Sequence, residues 1–228
     1  MSGLYYPFSS AENFDLEARI RERAQACGIE LTSAAVQALG YHARAVLREN
    51  ERLHLTSIQE PEEFFERHIG ESFEGAAMIA PDAEGVYVDL GSGNGYPGLP
   101  LAAARPGLQL LLVEASIRKA QFLRSVLRDA PFPDATVIET QIQRASDLDD
   151  AGDVRVLSSR AMGGWPKVVP RLHPWLSSSS DVLIWAGDEA EKISQRTVWK
   201  RFKIEDKRAL PEREASWIWR FSLADDTA

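Results

Sequence analysis

The first 80 residues place apolar side chains at the three- and four-residue spacing of amphipathic helices. A first helix is predicted over residues 12–27, and Gly28 follows it as a typical C-terminal residue. Thr32 has the side chain of a helix N-cap and begins a second helix that runs to about Arg52. Pro61 suits the first turn of a third helix, which is predicted to reach residue 80. Three helices therefore precede the first strand.

After residue 85 the pattern changes to short, almost continuous apolar runs. Runs of this kind that alternate with helical segments are typical of a parallel sheet covered on both faces. The last two runs are joined through Pro211 without a helix, which predicts an antiparallel pair. The sequence therefore predicts an α/β fold with an N-terminal helical cap and a mostly parallel seven-stranded sheet, with strands at residues 86–90, 108–114, 135–139, 154–159, 181–187, 201–210 and 216–224.

Composition narrows the class of protein. The chain has 228 residues, of which 44% are hydrophobic and 26% are charged, values typical of a soluble globular protein. The single cysteine, Cys27, excludes an intramolecular disulfide, and no Cys/His group has the spacing of a zinc site. No apolar stretch is long enough to cross a membrane, and the first residues lack the pattern of a secretory signal. We therefore expect a cytoplasmic protein with no metal and no membrane partner.

The net charge of −8 is unevenly distributed along the chain. Residues 155–208 hold 11 Lys and Arg against 6 Asp and Glu, a net charge of +5, whereas residues 1–154 hold 13 against 24, a net charge of −11. One interpretation is an arbitrary spread of charges over solvated surfaces. The other is a local basic surface on which a polyanion such as RNA docks, because the local field matters more than the total charge.

The stretch from Asp89 to Gly98, DLGSGNGYPG, carries the clearest chemical signal. Glycines let the chain turn tightly and bring its backbone close to a ligand at the start of the next helix. Gly93, Gly95 and Gly98 fit the pattern G-x-G-x-x-G, and Glu114 lies 21 residues after Gly93, as in dinucleotide-binding proteins. The pattern alone does not separate a dinucleotide from S-adenosylmethionine.

Two residues favour S-adenosylmethionine. Asp89 ends the strand, where a carboxylate can attract the ammonium and sulfonium groups of that cofactor. Pro97 removes an amide from the turn that would bind a pyrophosphate. Glu114, at the end of the next strand, is predicted to hydrogen-bond the adenosine ribose, with a solvated helix-cap carboxylate as the alternative.

The residues present also limit the methyl acceptor. A C5-pyrimidine methyltransferase needs a cysteine nucleophile, but Cys27 lies in the first predicted helix, far from the strand ends. Enzymes that methylate an exocyclic base amine commonly carry a D/N-P-P-Y/F turn after the fourth strand, where this chain has SSRAM at 158–162. A ring nitrogen with a free lone pair, such as N7 of guanine, needs neither device and has only to be held in line with the methyl group.

Five segments in one order carry a resemblance to a known family: NERLHLTSI at 50–58, RHIGES at 67–72, DLGSGNGYPGLP at 89–100, RKAQFL at 118–123 and SRA at 159–161. With these, the sequence resembles the RsmG family (glucose-inhibited division protein B) over roughly residues 15–225. The resemblance implies a Rossmann-like class I fold that uses S-adenosylmethionine to methylate N7 of a guanosine in 16S ribosomal RNA. The expected partner is small-subunit ribosomal RNA, alone or within an assembling ribosomal particle.

Within this fold we expect residues 1–80 to form the helical cap and residues 81–228 to form the S-adenosylmethionine-binding methyltransferase domain, together one compact unit. By the resemblance, Glu114 would hold the ribose, and Ile142 and Gln143 after the third strand would flank the adenine. The full set of predicted cofactor-binding residues is Asp89, Gly91, Gly93, Tyr96, Glu114, Ile142, Gln143 and Arg160.

Arg160, after the fourth strand, is also the predicted catalytic residue, because its guanidinium could orient the methionine carboxylate, a phosphate or the guanine edge. We expect its replacement by alanine to leave the stability nearly unchanged, with an ion pair to a nearby acid as the structural alternative. The predicted RNA contacts lie in the helical cap, where capping or packing roles are the alternatives: Asn50, His54, Arg67 and His68.

The sequence departs from the family pattern at three polar positions. His54 stands where the family usually has asparagine, Gln141 where it commonly has arginine, and Ala186 where a lysine is usual. A second interpretation is therefore a divergent S-adenosylmethionine-dependent methyltransferase that acts on another RNA or on a small molecule. A catalytically silent RNA-binding relative and a nicotinamide-dependent oxidoreductase are the remaining alternatives.

Overall fold

The computed structural model describes residues 15–130, 132, 134–147, 153–211 and 213–224. The segments before the sheet are α1 (Leu16–Ala26), α2 (Ser33–Leu53), α3 (Pro61–Phe64), the π-helical segment Phe65–Gly70 and α4 (Glu71–Ala76). The α-helices that follow strands are α5 (Gly98–Ala104), α6 (Ile117–Asp129), α7 (Trp165–Val168) and α8 (Glu189–Ser194). Two 3₁₀ segments, Val169–Trp175 and Thr197–Trp199, accompany α7 and α8.

Side-chain caps fix the beginnings of the first two helices. Asp15 accepts a hydrogen bond from the amide of Ala18, and Thr32 accepts one from the amide of Ala35. The predicted cap at Thr32 is therefore confirmed. Residues 12–14, which were predicted to belong to the first helix, lie outside the described residues.

The prediction of one continuous helix over residues 61–80 is wrong at its centre and at its end. The helix widens to a π-helical segment over Phe65–Gly70, and α4 ends at Ala76. Apolar periodicity does not distinguish a regular α-helix from one with a π-helical turn, because the local widening changes the hydrogen bonding without removing apolar residues from the buried face. His68 and Glu71 are both buried at this widened turn.

The sheet has seven strands in the order β3-β2-β1-β4-β5-β7-β6. The pairs among β1 to β5 are parallel, and β7 lies antiparallel between β5 and β6. The predicted α/β fold with an antiparallel C-terminal pair is confirmed. The strand bounds are β1 (Gly85–Leu90), β2 (Leu108–Glu114), β3 (Ala135–Glu139), β4 (Val154–Arg160), β5 (Asp181–Gly187), β6 (Phe202–Ala209) and β7 (Ser216–Leu223).

Two hydrophobic clusters cover the two faces of this sheet. One contains the residues of α1 to α6 that pack on the sheet, and the other contains Trp165, Val169, Ile193 and Trp199 from α7, α8 and the 3₁₀ segments. From β1 the sheet grows in one direction through β2 to β3, and β4 and β5 are then added on the other edge of β1. The strand order therefore reverses between β1 and β4, whose carboxyl ends lie side by side. Open α/β sheets bind their ligands at such a point.

Among the described residues, no helix is both long and apolar enough to cross a membrane. The division of the chain at residue 80 stays a prediction.

Candidate active site

The glycine turn after β1 forms one wall of the site. Gly91, Gly93 and Gly95 have φ angles of +70°, +54° and +94°, values that residues with a side chain rarely adopt. A Cβ atom on Gly95 would lie 2.8 Å from the Nε2 atom of His42, so this position also lacks the space for a side chain. The turn therefore exposes backbone at the point where the strand order reverses.

Glu114 at the end of β2 is held against this turn. Its Oε2 atom accepts a hydrogen bond from the amide of Gly93 at 2.8 Å, and its Oε1 atom accepts one from the amide of Ser116 at 2.7 Å. The side chain is buried, and the carboxylate keeps unused lone pairs. The protein thus orients Glu114 before a ligand arrives.

Asp89 lies beneath the turn rather than in front of it. It is fully buried, and its Oδ1 atom accepts a hydrogen bond from the hydroxyl of Ser158 at 2.5 Å. Burial raises the pKa of Asp89 to about 6, and the hydrogen bond from Ser158 opposes that rise. A Cβ atom on Gly98 would lie 2.8 Å from the Oδ2 atom of Asp89, so this carboxyl group packs against the start of α5.

Two cavities open on either side of the turn and share Gly91 and Glu114. The main cavity has a volume of about 680 Å³ and the side cavity about 470 Å³. The predicted residues that line the main cavity are His54, Arg67, His68, Gly91, Gly93, Tyr96, Glu114 and Arg160. The predicted residues that line the side cavity are Gly91, Glu114, Ile142 and Gln143.

Asp89 and Asn50 are the predicted site residues that line neither cavity. Asn50 instead binds the loop after α2, because its side-chain amide donates to the carbonyl of Thr56 and its Oδ1 atom accepts from the amide of Thr56. His54 has a φ angle of +50° at the end of α2, a left-handed position that asparagine and glycine adopt most readily.

Aromatic rings support the floor of the main cavity. The ring of Tyr96 lies between His42 and His68, with centroid distances of 4.5 Å and 4.8 Å. His42 donates from Nε2 to the carbonyl of Asn94 at 2.7 Å, which ties α2 to the turn. Burial lowers the pKa of His42 to about 4 and lowers that of His68 well below its ordinary value, so both rings are neutral at pH 7.

Arg160 forms an ion pair under the cavity. Its Nη2 atom lies 2.9 Å from the Oε2 atom of Glu71, and Glu71 also pairs with Arg213 at 3.2 Å. The side chain of Arg160 is 12% exposed and that of Glu71 is 3% exposed, so the pair is largely removed from water. The ion pair that was the structural alternative for Arg160 is therefore present in the structure. The residue also lines the main cavity, as the predicted role in the site requires.

Five residues that line the main cavity carry buried polar atoms that have no hydrogen-bond partner within the described part of the chain. These atoms are Arg67 Nε, His68 Nδ1, the Tyr96 hydroxyl, Arg160 Nη1 and Trp185 Nε1. Nearly all buried polar groups in proteins are paired, and five of the ten exceptions among the described residues belong to residues that line this cavity, which favours a ligand there. We name Gly91, Gly93 and Glu114 the turn side of the cavity, and Arg67, His68, Tyr96, Arg160 and Trp185 the donor side.

Sequence reasoning missed several residues of this site: His42, Thr56, Glu71, Trp185 and Arg213. Thr56 lies within the segment NERLHLTSI, and Glu71 within RHIGES, so the resemblance carried a signal for both. Trp185 is one of six tryptophans and lies near the end of an ordinary apolar strand, and only the sheet register places it beside Arg160. Among the described residues, no group of three or more His, Cys, Asp or Glu could hold a metal ion.

Comparison with sequence families and curated proteins gives a consistent result. A family model described as "GidB: rRNA small subunit methyltransferase G" matches residues 35–209. The chain is 34% identical over 179 residues to the Ribosomal RNA small subunit methyltransferase G of Sorangium cellulosum, an alignment that covers 78% of this chain and 75% of that protein. It is 32% identical over 170 residues to the protein of the same name from Paracoccus denitrificans, with 74% and 86% of the two chains covered.

Solved structures share the fold at low sequence identity. The ribosomal protein L11 methylase of Lactobacillus delbrueckii subsp. bulgaricus has a TM-score of 0.56 at 17% identity, covering 69% of this chain and 78% of that one. The glycopeptide N-methyltransferase MtfA, solved in complex with S-adenosylmethionine, has a TM-score of 0.55 at 11% identity, covering 68% and 93% of the two chains. The sheet therefore has the Rossmann-like fold of class I methyltransferases.

Proposed function

Because this chain belongs to the rRNA small subunit methyltransferase G family, we propose that it transfers the methyl group of S-adenosylmethionine to N7 of a guanosine in 16S ribosomal RNA. One observation carries the proposal. A single cavity at the reversal of the strand order has backbone and a fixed carboxylate on its turn side, and unpartnered polar atoms on its donor side. An adenosine cofactor suits the first side, and a base with exposed acceptor atoms suits the second.

The residues present fit S-adenosylmethionine. At Gly93 the turn leaves open the space that a Cβ atom would fill, and Glu114 is already oriented at the junction of the two cavities. Glu114 would bind the ribose hydroxyls, and Ile142 and Gln143 in the side cavity would flank the adenine. The bound cofactor supplies an electrophilic methyl group on its sulfonium. Asp89 would act from beneath by holding the turn and α5 in position.

The acceptor chemistry asks little of the protein beyond placement. N7 of guanine carries a free lone pair and needs no base to activate it, so the protein has to hold the ring in line and exclude water. The donor side offers N–H groups that match the acceptor atoms of guanine, and the stacked rings of His68 and Tyr96 form a flat floor beside them. Arg160 is the residue we place at the acceptor.

The charge distribution supports an RNA partner. The basic segment 155–208 includes α7, α8 and their 3₁₀ segments, which cover one face of the sheet. Lys167 and Arg171 of this layer are exposed and lie on the rim of the side cavity, one helical turn apart. Neither has an ion pair within the described residues. We propose that the layer binds the phosphate backbone of small-subunit RNA, alone or within an assembling particle, while His54 and Arg67 contact the strand at the main cavity.

The test is to map N7-methylguanosine in ribosomal RNA from cells with and without the gene. The proposal expects one position in the small-subunit RNA to lose the modification when the gene is absent. The purified protein should then restore it with S-adenosylmethionine. Unchanged N7-methylguanosine, or a methyl group restored on another RNA or another atom, would show that the acceptor is different.

A further inference from the structure

The donor side contains a residue without an assigned role. Trp185 lies at the carboxyl end of β5 and is 7% exposed, yet it lines the main cavity. Its indole N–H is buried and has no hydrogen-bond partner within the described residues. The indole N–H can only donate, and tryptophans that are buried in a protein usually find an acceptor for it. A ligand with an acceptor atom would satisfy this group.

The sheet register places Trp185 beside Arg160. The two residues are partners in the parallel pair of β4 and β5, so their side chains project from the same face of the sheet. Both contact the same helix, α4: Arg160 pairs with Glu71, and the ring of Trp185 packs against Gly75 one turn later. A Cβ atom on Gly75 would lie 2.5 Å from the Trp185 ring. The two residues that carry these unpartnered donors therefore lie side by side on the sheet and both line the main cavity.

The ion pair limits what Arg160 can bind. A free arginine commonly contacts guanine through two parallel hydrogen bonds, one to O6 and one to N7. In this protein the Nη2 atom of Arg160 lies in an ion pair with Glu71 at 2.9 Å, and Nη1 is buried without a hydrogen-bond partner within the described residues. One guanidinium donor can serve O6 and leave the lone pair of N7 free. This is the arrangement that methylation at N7 requires.

We propose that Trp185 binds the acceptor base by donating its indole N–H to O6 of guanine, beside Arg160 Nη1. This inference rests on the proposed function and names a specificity residue for it. O6 has two lone pairs and can accept both hydrogen bonds. Adenine has an amino group at the same place, and that group would meet two donors with no acceptor between them. Trp185 and Arg160 together thus select guanine over adenine at the acceptor position.

The experiment removes the donor from the protein and weakens the acceptor in the RNA. Trp185→Phe keeps an aromatic ring against Gly75 and removes the N–H. Small-subunit RNA is transcribed with guanosine or with 6-thioguanosine, whose sulfur is a weaker acceptor. Methyl transfer to N7 is measured for each of the four combinations. Any effect of the thio substitution on RNA folding is the same for both enzymes. Comparing the loss of kcat/KM caused by the thio substitution in the wild type with the loss in the variant therefore isolates the contact to position 6.

The expected result is a roughly tenfold lower kcat/KM for Trp185→Phe on normal RNA, with S-adenosylhomocysteine affinity unchanged. The thio substitution should then reduce the activity of the wild-type protein at least fivefold more than that of the variant. Trp217→Phe is the matched control, since Trp217 lies on β7 outside both cavities and donates to Asp188. Its activity should equal that of the wild type on both RNAs.

A second replacement keeps the test valid if Trp185→Phe does not fold. β-(3-Benzothienyl)alanine at position 185 preserves the shape of the indole and replaces its N–H by sulfur, so it should give the same ratio. Equal sensitivity of wild type and variant to the thio substitution would overturn the role of Trp185 and leave the proposed function intact. A variant that loses S-adenosylhomocysteine binding would overturn it as well. A wild-type protein that makes no N7-methylguanosine would overturn the proposed function and this inference together.

Discussion

The two sides of the main cavity are built on opposite principles. On the turn side, the carboxylate of Glu114 is paired with the amides of Gly93 and Ser116 before any ligand is present. On the donor side, buried N–H groups such as those of Arg160 and Trp185 have no partner within the described residues. The turn side is complete by itself, whereas the donor side is complete only when a ligand supplies acceptors.

This difference has an energetic meaning. An unpaired buried polar group costs about 1–3 kcal/mol of folding free energy, so the donor side lowers the stability of the folded protein. A surface kept at such a cost is expected to gain that energy back when its ligand binds. The turn side has little to reorganise when its ligand binds, because its geometry is already fixed. We therefore expect substitutions on the two sides to separate cofactor binding from acceptor recognition and stability.

The largest expected effect comes from the donor side. Arg160→Ala leaves the buried carboxylate of Glu71 with the more exposed Arg213 as its ion-pair partner among the described residues, and we expect a loss of about 3 kcal/mol in the free energy of unfolding. This replaces the sequence-based expectation of nearly unchanged stability. Urea denaturation measures the change, and Arg128→Ala, which breaks an exposed pair on α6, should leave the midpoint unchanged. Wild-type stability in Arg160→Ala would mean that the pair with Glu71 does not contribute.

The next effect isolates the turn side. Gly93→Val places a β-branched side chain at a φ angle of +54°, and the strain moves the amide that holds Glu114. We expect the affinity for S-adenosylhomocysteine to fall by about 100-fold, measured by calorimetry, from a backbone cost of about 1–3 kcal/mol. Gly163→Val is the control, since Gly163 has open space and no left-handed φ. Binding within fivefold of the wild type would remove the turn from the cofactor site.

A third change tests RNA binding away from both sides. Reversing the charge of Lys167 and Arg171 to Glu should weaken binding to small-subunit RNA roughly tenfold and reduce the salt slope by about two. S-adenosylhomocysteine binding should not change. A control on the opposite face of the sheet reverses Arg124 and Arg128, which have the same spacing on α6 and pair with Glu139 and Asp129. Equal losses from the two double variants would indicate a general charge effect and no basic docking layer.

The smallest effect is a difference in pH dependence. The pKa of Asp89 beneath the turn is raised to about 6 by burial, so Asp89 favours the folded state at low pH and loses this contribution as the pH rises from about 4 to 6. The pKa of His68 is lowered by burial, so His68 stabilises the fold above its unfolded value near 6.5 and less as the pH falls. The free energy of unfolding should rise more steeply between pH 4 and 6 in Asp89→Asn than in the wild type, and less steeply in His68→Gln. Parallel profiles for all three proteins would contradict these assignments.

The turn side could be predicted from the sequence because its parts are local. Gly91 to Gly98 follow one strand directly, and Glu114 ends the next, so the spacing along the chain already reports their proximity. The sheet could also be predicted from the sequence, since each apolar run forms a strand within a few residues of its predicted bounds. Asp89 was placed at the right strand end, but spacing could not tell that it lies beneath the turn.

The donor side could not be predicted in the same way. Arg160, Trp185 and Glu71 come from three separate segments, and only the register of β4 with β5 and the packing of α4 bring them together. The sequence offers the buried ion pair only as an alternative, because Glu71 is 89 residues away from Arg160 along the chain. His54 looked like an RNA contact, and its left-handed backbone at the end of α2 adds a structural demand that spacing does not show.

The most direct test of the central claim is methyl transfer by the purified protein. The protein is incubated with S-adenosylmethionine labelled in its methyl group and with small-subunit RNA, and the labelled nucleoside is identified. We predict that the label appears in N7-methylguanosine at one position. Label on another atom or another nucleoside, or tight cofactor binding without any transfer to this RNA, would contradict a cavity that joins a cofactor side to a guanine-binding side.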